Sequence, residues 1–121
     1  MLNRSTFLGT IFEGFVASEI IKRQMNSGRS RQLYYFRDQQ GLEVDFLVPV
    51  GDHKLLLIEA KASRTILPEM AEPLSRLSKA VSNYRVDSLF VYRPLKEKES
   101  TTTLRPGIKA LSIEKLLSVH V

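Results

Sequence analysis

The sequence predicts an α/β domain in which a mixed sheet of four or five strands carries a helix on each face. Three observations point that way. Apolar residues recur at helical spacing near the start, and three β-rich runs then follow with turn-length gaps between them. A second helical run next leads into another apolar strand. Strands joined by tight turns pair antiparallel, whereas a strand, helix, strand unit places its strands parallel, so the sheet must be mixed.

Residues 6–26, TFLGTIFEGFVASEIIKRQMN, set Leu8, Ile11, Phe12, Phe15, Val16 and Ile20 at helical spacing. Thr6 is suited to cap the start and Gly28 to end the run. Apolar groups go most of the way round, which predicts a deeply buried helix. QLYYFRD (32–38) reads as a strand through its aromatics, with Tyr34, Tyr35 and Phe36 expected in packing contacts. DQQG (38–41) is a turn, and LEVDFLVPV (42–50) is a second strand closed by Pro49 and Gly51. Strict alternation along it puts Val44, Phe46 and Val48 on one face and Glu43, Asp45 and Leu47 on the other. LLLIEAKA (55–62) is the third strand, apolar enough to be central.

ILPEMAEPLSRLSKAVSN (66–83) returns to helical spacing; Pro68 fits a first turn, and Pro73 is expected to kink or delay the regular part. SLFVYRP (88–94) is a buried strand. KEKESTTTLRPG (96–107), polar and without period, is expected to be a mobile loop. IKALSI (108–113) and EKLLSV (114–119) read as a last strand running into a helix. No repeat or linker divides the chain, so residues 1–121 are expected to form one domain.

Composition narrows the class. With no cysteine there is no disulfide framework and no thiolate metal site. No apolar run approaches the roughly 20 residues needed to span a bilayer, and the N-terminus lacks the order of a secretory signal. A cytoplasmic protein is the expectation. A net charge of +5 favours anionic partners, of which nucleic acid is the commonest.

The third strand poses the functional question. Glu59 and Lys61 stand in the most apolar run of the chain, on one face and about 7 Å apart. An unpaired charge is costly to bury, so each needs a partner or an ion. A hairpin between the second and third strands can bring Asp45 beside Glu59. On the first helix Glu13 interrupts a nearly apolar face made of Gly9, Thr10, Val16, Ala17 and Ile20, and it can reach the same spot. Converging carboxylates call for a cation. Mg²⁺ uses only one or two protein carboxylates and keeps waters for substrate. Asp45 and Glu59 are the expected ligands, with the Ala60 backbone carbonyl as a third oxygen. Lys61 would stand beside a metal-bound water or a phosphate.

Glu13 on the helix, Asp45 in "EVDF" and Glu59-Ala60-Lys61 in "IEAK" resemble the PD-(D/E)XK nuclease superfamily pattern, on the same helix, three strands, helix, strand order. More narrowly, "IFEGFVASEIIK", "LYYFRDQQGLEVDFLV" and "IEAKAS" resemble the domain of unknown function at the C-terminal end of many prokaryotic AAA-type ATPases. The likeness covers roughly residues 7–94. It implies a restriction-endonuclease-like three-layer fold of order α-β-β-β-α-β, and Mg²⁺- or Mn²⁺-dependent phosphodiester hydrolysis, with DNA the expected substrate. It also implies catalytic roles for Glu13, Asp45, Glu59 and Lys61. Val44 stands where the superfamily has proline before the acidic residue. No G-x-x-x-x-G-K-[ST] occurs, so an ATPase module would lie elsewhere in a longer chain, of which this is a C-terminal fragment, or in a separate one.

Plainer readings stand beside these. Glu59 and Lys61 could form a cross-strand ion pair, Glu13 could pair with a basic residue, and Glu43 could be solvated. His53 and His120 have no ligand-like neighbours and are expected to be exposed. Arg29, Arg31 and Arg37, with Lys22 and Arg23, form either a solvated rim or a set of phosphate contacts. The alternative function is a non-catalytic docking or regulatory domain of an AAA-type ATPase, followed by a nucleic-acid-binding module without chemistry.

Overall fold

Helix α1 (Arg4–Asn26) ends where the Arg29 N–H reaches back to the Gln24 carbonyl at 3.0 Å and Gly28 turns left-handed, with φ of 78°. The computed structural model describes residues 4–94 and 101–118. Strands β1 (Tyr34–Arg37), β2 (Glu43–Pro49) and β3 (Lys54–Ala60) follow as the predicted antiparallel meander. A 3₁₀ turn (Pro68–Ala71) and helix α2 (Glu72–Ala80) then cross to β4 (Arg85–Val91). Pro73 sits in the first turn of α2, so the regular helix starts at the proline rather than through it. Strand β4 runs parallel to β3 from Lys54↔Arg85 to Ala60↔Val91.

Strands β5 (Thr101–Arg105) and β6 (Ile108–Leu111) form an antiparallel hairpin, with β6 parallel to β4. The sheet therefore has six strands, in the order β1-β2-β3-β4-β6-β5, and not the four or five expected. The extra strand falls in the segment predicted as a loop. Its β-branched threonines suit a sheet edge, where one side of the strand faces water and no apolar face is required. Residues 96–100 of that segment lie outside the described residues, as does His120. Helix α3 (Ile113–Ser118) starts with Ser112, whose hydroxyl accepts the Lys115 N–H at 3.3 Å.

Helices cover both faces, as expected. Val16 and Ile20 of α1 and Leu116 of α3 pack with Phe46, Val48, Leu56, Ile58, Leu89 and Val91. Leu74 and Leu77 of α2 pack on the other side with Val44, Leu57, Phe90, Ile108 and Ala110. The prediction of a deeply buried α1 is corrected. Its second half buries Val16, Ile20 and Gln24, but Phe7, Leu8, Ile11 and Phe15 stay 40–54% exposed. Leu8, Ile11 and Phe15 border an open cavity and not the packed core. Tyr34 and Tyr35 are also exposed, because β1 is an edge strand; only Phe36 joins the core. No helix among the described residues is long and apolar enough to cross a membrane.

Candidate active site

An extra residue in β2 shapes the site. Tyr34 pairs with Leu47 and Phe36 with Val44, so two steps along β1 match three along β2. Such a bulge re-aims the side chains on either side of it. The predicted alternation is corrected accordingly: Val44 packs on the α2 side, whereas Phe46 and Val48 pack on the α1 side. Asp45 lies inside the bulge.

The same irregularity breaks the ladder to β3. Pairing runs from Pro49↔Leu55 to Phe46↔Ile58, and the next two rungs in that register, Asp45 opposite Glu59 and Val44 opposite Ala60, do not form. Side chains take their place. The Ala60 N–H donates to Asp45 Oδ2 at 2.8 Å, and the Asp45 N–H donates to Glu59 Oε1 at 3.3 Å. Two carboxylates are thus tied reciprocally to the backbone of opposite strands. Both bonds are charge-assisted when the acceptor is ionised, which fixes each head group more firmly than a neutral bond would.

The predicted acidic residues converge. Asp45 is the middle member, its carboxyl acting on both Glu13 and Glu59. Glu59, only 4% exposed, holds its proton to high pH: burial first, then the Asp45 carboxyl, push its pKa up to about 9, against a smaller lowering by Lys61. Glu13 is half-buried and also raised, by burial and then by the charge of Asp45, with Glu43 adding to the repulsion. Lys61 lies exposed just past the end of β3, its N–H held by the Val91 carbonyl at 2.9 Å. Its charge acts on Glu13 and Glu59, yet it forms no ion pair among the described residues.

Among the described residues, no group of three or more His, Asp or Glu side chains forms a ready metal cage. The donor set does suit an ion that asks for fewer protein ligands. Glu59 is a buried carboxyl with no cationic partner in contact, and a divalent ion could replace its proton. Ala60 ends β3 fully buried beside it.

The predicted phosphate contacts fare unequally. Arg37 is taken by Glu43 at 2.6 Å and also lies 6.0 Å from the centre of the Tyr35 ring. Arg29 bonds the Ser27 hydroxyl at 3.1 Å, and Arg31 is exposed in the loop before β1. None of these three is among the charged groups that act on Glu13 or Glu59. His53 is exposed in the turn before β3 at φ of 59°, a backbone role and not a ligand's.

Three features escaped the sequence reading. The bulge leaves no mark on alternation. Gln24, 2% exposed, clamps Gln32 by donating to its carbonyl and accepting from its N–H, both at 3.0 Å. Its spacing from Val16 and Ile20 already placed it on the buried stripe. Arg64 and Arg93 stand just beyond β3 and β4, at the carboxyl end of parallel strands where open sheets bind ligands. No curated protein and no solved structure matches the chain. The family described as a domain of unknown function, DUF4143, matches residues 8–116, and the chain belongs to that family.

Proposed function

We propose that this domain has the restriction-endonuclease-like fold and is a PD-(D/E)XK-type phosphodiesterase that uses Mg²⁺ or Mn²⁺ to cleave nucleic acid, DNA foremost. One observation carries the reading: the buried Glu59 accepts the Asp45 N–H and Asp45 accepts the Ala60 N–H, while an exposed lysine stands uncommitted one alternation away. A scaffold gains nothing from that arrangement. Asp45 and Glu59 would hold the ion with the Ala60 carbonyl, and the ion would supply Lewis acidity toward a phosphoryl oxygen. The reciprocal backbone bonds hold both carboxylates in place before substrate arrives. Lys61 would offset phosphate charge or take a proton from the attacking water. Glu13 would restrain Asp45 from the helix side. The test is incubation with single- and double-stranded DNA and RNA under Mg²⁺, Mn²⁺ or EDTA. Metal-dependent cleavage lost in Lys61→Ala supports the reading; no cleavage of any polymer under either ion sinks it.

The exposed apolar flank of α1, with Phe7, Leu8, Ile11 and Phe15, favours a second reading. In it the domain docks onto an AAA-type ATPase without chemistry of its own. Co-purification with such a module, together with inactivity on every polymer, would select it.

A further inference from the structure

A cavity of about 610 Å³ opens at the carboxyl end of the sheet, between the first half of α1 and the segments that follow β3 and β4. Ile11, Phe12 and Phe15 form its apolar wall, and Arg64 and Arg93 lie on its polar side together with Glu114. Neither arginine has an ion-pair partner among the described residues. Their placement is fixed by the backbone: the Lys61 N–H bonds the Val91 carbonyl at 2.9 Å, and the Arg93 N–H bonds the Ser63 carbonyl at 3.1 Å. That lacing carries the chain directly from Lys61 to Arg64 along the ends of β3 and β4.

We infer that this cavity seats an unpaired nucleotide next to the phosphate under attack, so that the substrate is a single strand or a splayed end; the inference rests on the phosphodiesterase reading. Three features select that occupant. The volume is that of a small-ligand site and could not admit a duplex. Phe12 and Phe15 put two aromatic side chains on the lining, and aromatic rings hold an unstacked base and are useless to a paired one. Two guanidinium groups against one carboxylate give the rim a positive excess suited to a phosphate. Arg64 follows Lys61 by three residues, which ties the lining through the chain to the end of β3, where Glu59 stands.

The experiment measures fluorescence anisotropy of labelled oligothymidylate and of a matching duplex in EDTA, over a range of salt. It compares wild type with Arg64→Gln/Arg93→Gln and with Phe15→Ala. Phe15 and Arg64 are exposed, and melting curves check that each variant folds. Wild type is expected to prefer the single strand. The double variant should flatten the slope of log affinity against log salt by about 1.4, two phosphate contacts' worth. Phe15→Ala should weaken the single strand on the order of tenfold and leave the duplex unchanged. Hydrolysis of bis(p-nitrophenyl) phosphate with Mn²⁺, which has no neighbouring nucleotide, is measured on the wild type to read the chemistry apart from the seat. Equal affinity for strand and duplex, or an unchanged salt slope, overturns the seat even if cleavage is seen. Strand binding as expected, with no diester hydrolysis in wild type, upholds the seat and removes the chemistry instead.

Discussion

Glu59 binds its proton more tightly in the folded protein than in the unfolded chain, and that difference has a sign. Where the native state holds more protons than the unfolded state, stability falls as pH rises. The contribution is complete below the ordinary glutamate range near 4.5 and is lost as pH climbs toward about 9, with Glu13 adding in the same direction. The metal-free domain is therefore expected to lose stability from pH 5 to pH 8, on the order of a few kcal/mol from this cluster. Glu59→Gln, which cannot ionise, should flatten the profile; parallel wild-type and mutant curves in thermal melts would contradict it. Mn²⁺ should raise the melting temperature more at pH 8 than at pH 6, because the ion must displace that proton. Asp45→Asn should cancel the rise yet stay folded, since an amide oxygen still accepts the Ala60 N–H. Lys61→Ala should cost little stability, being exposed, while lowering cleavage by orders of magnitude. The residue identities behind all this were legible, because carboxylates and a lysine in apolar runs stand out. The crossed bonds between Asp45 and Glu59 were not, since they depend on distances no spacing rule supplies.

At the level of elements, periodicity served well wherever one face is buried and poorly at the margins. The three-strand meander, the crossover to β4 and the late start of α2 all followed from apolar spacing, turn residues and proline. Strand β5 was missed because an edge strand needs no apolar face, and α1 was over-buried because a wheel of apolar residues cannot reveal how much sheet lies beneath it. Gln24 is the element-scale joint that reasoning on apolar residues overlooked. By bonding both polar atoms of the Gln32 backbone, it guides the approach to β1. Gln24→Leu should leave that donor and acceptor without their partner, costing about 1–3 kcal/mol. Hydrogen exchange should quicken in β1 before it does in β3. Uniform quickening would mean that the clamp supports the whole domain and not this edge.

For the whole molecule, β3 pairs antiparallel with β2 on one side and parallel with β4 on the other, and Asp45 and Glu59 sit at that seam. Its basic charge is distributed unevenly in effect. Arg37 is neutralised by Glu43, whereas Arg31 makes no ion pair among the described residues. On the proposed function, Arg31→Ala should reduce the salt dependence of nucleic-acid binding by about one phosphate contact. Arg37→Ala should change it less, because the same step frees Glu43. Equal effects would show that the Arg37 pair opens on binding. Net charge alone could announce an anionic partner, but only the folded pairing separates available cations from spent ones.

The crossed link between Asp45 and Glu59 also makes the site observable without turnover. Two main-chain amides, Asp45 and Ala60, end on carboxylate oxygens and not on carbonyls. Their resonances should respond to protonation and ion binding as neighbouring ladder amides do not. A domain whose activity is silent for want of its partner would still report, through these two protons, whether its carboxylates are armed.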